Sequence, residues 1–295
     1  MLQKWFRSLP WCRFEFNPNL KWEDIRLTST LLGQGSYAAV YKGIYNNEEV
    51  AVKVWKQQLS QSDKVYFDRE VDIQKRLDHP NCLKLYGVTT SPQGYPVLIT
   101  ELADCSLTKL TTQRSPQLPP LSAQEKYNFI LEIARGIAYI HSCGFVHRDI
   151  KLDNILIKNG HVKIADFGLA RSMQPVSLIV TFAGSPMFMA PELIMGQKVT
   201  QTIDIYSLGC VIDEIMTGKT CFWDYCMKGV TQERFFRDIR HGLRPTIDRS
   251  LPKEVRYLIG DCFKEKKYRP NAETVCHWIE NWEYQKWEPK QNKCA

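Results

Sequence analysis

His147-Arg148-Asp149-Ile150-Lys151-Leu152-Asp153-Asn154, with Asp166-Phe167-Gly168 twelve residues beyond Asn154, constrains this chain more than any other feature. The first stretch puts a carboxylate, a cation and an amide into one short loop, and the second adds a carboxylate beside a glycine. Such a set suits phosphoryl transfer, where a protein mainly positions reactants and metal ions. A loop of this kind needs rigid support, and the sequence supplies it just upstream. Ser122-Ala123-Gln124-Glu125 has capping-box spacing, and Tyr127, Ile130, Ala134, Ile137 and His141 recur at three- and four-residue steps. With Gly144 as the stop signal, the pattern predicts a helix over Ser122–Cys143 with one buried face.

Upstream, Leu32-Gly33-Gln34-Gly35-Ser36-Tyr37-Ala38-Ala39-Val40 lies between apolar runs. Its glycines would let backbone amides approach phosphate oxygens without a side chain in the way. Taken alone, a G-x-G marks only a tight turn between strands. A hairpin follows: Ala39–Tyr45, a turn at Asn46-Asn47, then Glu49–Trp55. Within it, Val50-Ala51-Val52-Lys53 reads as a strand, and Ser62 to Leu77 has helical content carrying Glu70. Seen singly, Lys53 is a surface charge and Glu70 a solvated helix face.

Together the loop and Asp166-Phe167-Gly168 match H-R-D-x-K-x-x-N and D-F-G, and the chain resembles the eukaryotic protein kinase family over roughly residues 22–282. Ala190-Pro191-Glu192, Asp204 and Tyr268-Arg269-Pro270 extend the match in order. The resemblance implies an α+β, two-lobed fold: an N-lobe antiparallel sheet plus one helix over about 22–100, a hinge at 101–104, and a mainly helical C-lobe over about 105–282. Residues 1–21 form an aromatic-rich extension and 283–295 a tail. It also implies ATP and Mg²⁺. Leu32, Gly33, Gly35, Ser36, Val40, Ala51, Lys53, Thr100, Glu101, Ala103 and Leu156 would surround the nucleotide, with Thr100 as gatekeeper. Asn154 and Asp166 would hold the metal. Asp149 would take the acceptor proton, Lys151 would contact the γ-phosphate, and Glu70 would orient Lys53. Glu192, Asp204 and Arg269 would be structural.

Lys151, two residues after Asp149, and Gly184-Ser185-Pro186-Met187-Phe188-Met189 resemble serine/threonine kinases, so the implied substrates are proteins with Ser/Thr acceptors. Gly242-Leu243-Arg244-Pro245 and Leu258-Ile259-Gly260-Asp261-Cys262-Phe263 resemble tyrosine kinases and their relatives; the combination points to the tyrosine-kinase-like group. Arg148 implies activation-loop phosphorylation, by an upstream kinase or by the chain itself, with Thr181, then Ser177, then Ser172 as candidates.

Three positions depart from the family pattern. Gln74 stands one turn after Glu70, where an apolar residue is usual in an internal column with Phe167 and His147. A buried amide there needs partners or costs about 1–3 kcal/mol. Cys105 replaces a glycine after a hinge one residue short, and Ala38 replaces the third glycine of the loop. These features keep open a nucleotide-binding pseudokinase or scaffold, and a dual-specificity kinase is the other alternative.

Composition adds exclusions. A net charge of +7 over 295 residues, with no dense Lys/Arg segment interleaved with aromatics, argues against nucleic-acid binding. No apolar run reaches the ~18 residues of a membrane span. The 10 cysteines are scattered without metal-type spacing, as in reduced cytoplasmic proteins. Trp5, Phe6, Trp11, Phe14 and Phe16 make the leader aromatic enough to pack on the domain.

Overall fold

Asn46 and Asn47 adopt φ of 50° and 63°, the pair of left-handed residues that a two-residue hairpin turn requires. Asparagine is among the few non-glycine residues that visit this region readily. The turn joins β2 (Ala38–Tyr45) to β3 (Glu48–Trp55), in register from Tyr45↔Glu48 to Ala38↔Trp55. With β1 (Ile25–Gln34), β4 (Leu85–Thr90) and β5 (Pro96–Glu101) they form an antiparallel sheet of order β1-β2-β3-β5-β4. The computed structural model describes residues 15–35, 38–172 and 186–287. Trp5, Phe6, Trp11, Phe14, Ser36, Tyr37, Ser177, Thr181, Gly184, Ser185 and residues 288–295 lie outside the described residues.

The chain divides between Ala103 and Asp104 into two units. In the first, alternation along β3 buries Val50 and Val52 with Leu20, Ile25, Tyr45, Tyr86, Val97 and Ile99. A second cluster, Trp55, Leu85 and Leu98, receives Phe16, Phe67 and Val71. Phe67 belongs to α1 (Gln61–Gln74) and meets Trp55 edge-on at 5.0 Å, which fastens the helix to the sheet. The helix ends three residues before the expected Leu77, because Arg76 and Leu77 bond back to Ile73 and Gln74 in tight turns. The described end of the leader packs here as well. Asn17 donates to the Tyr86 carbonyl at 2.7 Å, and a Cβ on Gly87 would fall 2.9 Å from both the Asn17 oxygen and Leu20 Cδ1. Only glycine lets the leader cross at that point.

In the second unit, α2 (Ala123–Ser142) begins at the capping box read from the sequence. Ser122 Oγ accepts from the Glu125 amide, and Glu125 Oε2 accepts from the Ser122 amide at 2.8 Å. Ile130, Ala134 and Ile137 are fully buried, but so are Ile133 and Ile140, so the apolar stripe is wider than five positions. Tyr127 and His141 sit at its margins and have other partners: Tyr127 stacks on Tyr284 at 4.3 Å, and His141 reaches Asp204. After Gly144 (φ 80°) come β7 (Phe145–Val146), β8 (Ile155–Lys158), β9 (His161–Ile164) and β10 (Arg171–Ser172). β10 pairs with β7, and β6 (Cys105–Ser106) pairs with β8.

Helices fill the remainder: α3 (Pro191–Ile194), α4 (Thr202–Thr217), α5 (Trp223–Cys226), α6 (Gln232–Arg240), α7 (Lys253–Cys262) and α8 (Ala272–Glu280). Every residue of α4 from Ile203 to Ile215 is buried, the mark of a helix at the centre of a core. It packs on α2 and α7. The fold is therefore α+β, an antiparallel sheet with one helix followed by a helical unit. Among the described residues, no helix is long and apolar enough to cross a membrane.

Candidate active site

Lys53 is on β3 and Glu70 on α1, and the first unit brings them together: Nζ lies 3.1 Å from Glu70 Oε1. Glu70 is 5% exposed, so its charge is buried and held by this lysine, which also lies 4.9 Å from the Trp55 ring. Gln74 is satisfied within the same unit. Its Nε2 donates to the Leu83 carbonyl at 3.0 Å, so the amide carries no unmet desolvation penalty and the Lys53–Glu70 pair forms beside it. Thr100 and Ala51 face each other across β3 and β5, and Thr100 Oγ1 donates to the Glu101 carbonyl. Glu101 and Lys84 bond reciprocally: the Glu101 amide donates to the Lys84 carbonyl, and Glu101 Oε1 accepts from the Lys84 amide. Ala103 is half-buried at the end of the unit, and Val40 on β2 pairs with Lys53.

Gly33 and Gly35 behave differently from Gly87. A Cβ at Gly33 would meet nothing within 4 Å, and at Gly35 only the Ala38 oxygen at 3.8 Å. Among the described residues packing does not demand glycine at either place, and neither is found with a positive φ. Leu32 beside them is exposed, and Lys56 Nζ donates to the Gly35 carbonyl at 2.6 Å.

The second unit assembles the loop around Asp149. Asn154 Nδ2 donates to Asp149 Oδ2 at 2.8 Å and to the Asp149 carbonyl at 2.9 Å, while Lys151 Nζ lies 2.8 Å from the same Oδ2. Two donors on one oxygen fix the carboxylate's orientation. Asn154 is in turn held by Ala165, whose amide donates to the Asn154 carbonyl at 2.8 Å. Asp166 follows directly, exposed and at φ 63°, and Arg148 adopts φ 73°. Left-handed backbone at non-glycine residues costs free energy and collects where function needs a particular geometry. Leu156 on β8 is half-buried and pairs with Ser106 of β6.

Asp204 holds the loop from the first turn of α4. Oδ1 accepts from the Arg148 amide at 2.8 Å, and Oδ2 accepts from the His147 amide at 2.8 Å with His141 Nε2 at the same distance. Burial opposes its charge, but the hydrogen bonds from His141 and the Arg148 amide outweigh it and keep the carboxyl below its usual range. The His147 ring is fixed too. The Asp149 amide donates to Nδ1, so Nε2 carries the proton that faces the Ala165 carbonyl at 3.1 Å. Phe167 meets the same ring at 5.0 Å. Farther along, Arg269 grips Glu192 with both ends of its guanidinium.

The sequence reading missed three contributors. His141 looked like one more residue of a helical face, though a histidine six places before His147 was a signal that both could serve one carboxylate. Asp153 accepts from Thr108 at 2.8 Å, a partnership 45 residues apart that no local pattern announces. Asp104 opens the second unit, where its amide donates to the Ile157 carbonyl and its carboxylate accepts from the Asn159 amide, both at 2.7 Å. Cys105 is half-buried beside it. Burial, then the Asp104 charge, pushes its thiol pKa up, away from nucleophile chemistry.

Comparison with known proteins agrees with this arrangement. The family model for the protein kinase domain matches residues 27–279. A probable serine/threonine-protein kinase of Dictyostelium discoideum is 34% identical over 249 residues, covering 83% of this chain and 15% of that protein. From the same organism, the dual specificity protein kinase shkE is 34% identical over 268 residues (88% and 37%), and shkA, of the same description, 31% over 265 (86% and 48%). The chain thus spans less than half the length of these relatives. With the match running from Leu27 to Ile279 through both units, the chain belongs to the protein kinase family.

Proposed function

We propose that this chain transfers the γ-phosphate of ATP to serine and threonine hydroxyls of protein substrates. The observation that carries the reading is Asp149, whose Oδ2 is held by both Asn154 and Lys151 before any substrate arrives. A carboxylate positioned in this way can accept the hydroxyl proton without reorganising. Lys151 then supplies positive charge for the phosphoryl group, and Lys53, steadied by Glu70, serves the α- and β-phosphates. The exposed glycines at 33 and 35 fit a role in admitting phosphate oxygens to backbone amides, since packing among the described residues gives no other reason for them.

The donor set fits Mg²⁺. Asn154 offers an amide oxygen and Asp166 a carboxylate, both hard oxygen ligands. Among the described residues no cluster of three or more His, Cys, Asp or Glu could hold a metal alone, and an ion that keeps water and phosphate oxygens needs none. When bound, the ion supplies neutralisation of phosphate charge; the protein's part is to hold the two ligands, one of them fixed through Ala165.

Arg148 adjoins Asp149, and we assign it the docking of a phosphate on the activation segment at Thr181 or Ser177, added by an upstream kinase or by the chain itself. Arg244 ties α6 to α7 by donating to the Ile239, Leu243 and Phe263 carbonyls, which gives the Gly242–Pro245 motif a physical reason and supports placement in the tyrosine-kinase-like group. A cytoplasmic setting fits the free thiols at Cys82, Cys105, Cys143, Cys210, Cys221, Cys262 and Cys276. Dual specificity is the second reading, favoured by the descriptions of shkE and shkA.

The test is incubation with Mg²⁺-ATP and casein, beside Asp149→Asn, followed by intact mass and phosphosite mapping. Phosphoserine or phosphothreonine with the parent chain alone supports the proposal, and added phosphotyrosine shifts it to dual specificity. No transfer to casein or to itself would leave a nucleotide-binding scaffold instead.

A further inference from the structure

A cavity of about 510 Å³ opens at the C-terminal end of α4, lined among others by Asp213, Phe222, Trp223, Tyr225, Asp248 and Arg249. Asp213 lies nine residues beyond Asp204 on the same helix, hence about 13 Å along its axis from the residue that anchors the Asp149 loop. The phosphoryl-transfer residues make no use of it. Its side chain is 7% exposed, and Oδ1 has no hydrogen-bond partner among the described residues. A buried carboxylate oxygen without a donor is rare and requires a reason.

The neighbouring charges do not provide one. Asp248 is already served: its Oδ1 accepts from the Ser250 amide and hydroxyl, at 2.8 and 2.7 Å, and Lys219 lowers its pKa further. Arg244, which lines the same cavity, directs Nε and Nη1 to the carbonyls of Phe263, Ile239 and Leu243, and no ion pair between it and Asp213 is found among the described residues. Burial, with Asp248 adding to it, raises the Asp213 carboxyl to about 6, and no ion pair reaches it among the described residues.

The walls around this carboxylate are aromatic. Phe222 is buried at φ 61°, a left-handed conformation that a bulky residue adopts only when its surroundings hold it there. Trp223 lines the cavity and remains 46% exposed, leaving an apolar lip at the opening. A carboxylate beside aromatic faces is the chemistry that recognises a guanidinium, which pairs with the charge and stacks on the rings. We propose that this cavity is a docking site for a single arginine on a partner polypeptide, its guanidinium on Asp213 and a flanking apolar residue on Trp223. Lys219, Lys228, Arg244 and Arg249 also line it and would repel a polybasic segment, so the site admits at most one arginine, among apolar neighbours.

The test uses the full chain in calorimetric titration with three acetylated, amidated tripeptides: Leu-Arg-Phe, Leu-norleucine-Phe and Arg-Arg-Arg. The proposal expects Leu-Arg-Phe to bind at least tenfold more tightly than either of the others. Asp213→Asn should erase that preference while raising the free protein's thermal midpoint, because it removes an unpaired buried charge. A purely structural carboxylate would lower the midpoint instead, and that outcome overturns the proposal. Trp223→Ala, at an exposed position, should weaken Leu-Arg-Phe and Leu-norleucine-Phe alike and keeps the test valid if Asp213→Asn does not fold. Equal binding of the first two peptides, tightest binding of Arg-Arg-Arg, or no binding at millimolar concentration overturns the assignment.

Discussion

Arg269 holds Glu192 through two parallel contacts, Nη1 to Oε1 at 2.6 Å and Nη2 to Oε2 at 3.2 Å, across 77 residues of sequence. The side chains are 1% and 4% exposed. Nη1 also donates to the Thr202 carbonyl at the start of α4, Nε and Nη2 donate to the Lys264 carbonyl after α7, and the guanidinium lies 5.3 Å from the Tyr206 ring. One arginine therefore joins three segments. Removing it by Arg269→Met strands a buried carboxylate, and a loss of about 3–5 kcal/mol is expected from urea unfolding. Replacing Glu192 with leucine in the same variant should recover part of that loss, since no charge is then left unpaired.

The packing of α4 against α7 leaves no room at Gly209. A Cβ there would lie 2.6 Å from Cys262 Cβ and 3.0 Å from the Phe263 ring. Gly209→Ala should destabilise by about 1–3 kcal/mol despite alanine's better helix propensity. A rise in thermal midpoint would show that α7 yields easily.

Burial, partly offset by the Cys221 amide and reinforced by Asp213 and Asp153, raises Glu214 from 4.5 to about 7. A raised carboxyl holds its proton more tightly in the folded state than in the unfolded chain. The stabilisation is complete below the unfolded value near 4.5 and is lost as pH rises through about 7. Glu214→Gln keeps an acceptor for the Cys221 amide, which bonds Oε1 at 2.8 Å. The variant should match the parent near pH 4.5 and exceed it at pH 8, by up to about 3 kcal/mol at about 1.4 kcal/mol per pKa unit. Denaturant midpoints at the two pH values decide this.

Gln74 relies on one hydrogen bond, Nε2 to the Leu83 carbonyl. Gln74→Glu replaces that donor with a charge in a site 3% exposed, and a loss of at least about 2 kcal/mol is expected at pH 8. The loss should shrink as pH falls and the carboxyl protonates, which thermal scans at pH 5 and pH 8 would reveal.

If Asp149 accepts the hydroxyl proton, Asp149→Asn should reduce turnover about 10²- to 10⁴-fold while leaving the thermal midpoint close to the parent's. Asn154→Ala should also lower turnover, because it removes the donor that orients Asp149. Turnover measured at saturating ATP separates this loss from weakened nucleotide binding.

Local chemistry made several features legible. The capping box at Ser122 and Glu125, the Asn46-Asn47 turn, the alternation of Val50 and Val52, and the glycine after α2 each depend on neighbours within a few residues. The ordered motifs from Gly33 to Arg269 carried the family and the candidate site, because spacing along the chain is itself a property of sequence. Partners far apart in sequence were not legible, since periodicity can mark a residue as buried without naming what it meets. His141 repeats at the spacing of a helical face while its partner Asp204 lies 63 residues away, and the helical pattern running to Leu77 outlasts α1 by three residues.

The sequence by itself determined the family, the order of its motifs, the Asn46-Asn47 hairpin and the capped helix before the His147–Asn154 loop. Only the tertiary structure decided that Asp204 holds the His147 and Arg148 amides from another helix and that Gln74 finds the Leu83 carbonyl. It also decided that Asp213 is left buried without a donor. Hydrogen bonds and charges act over a few ångströms of space, and only folding brings residues scores of positions apart within that range.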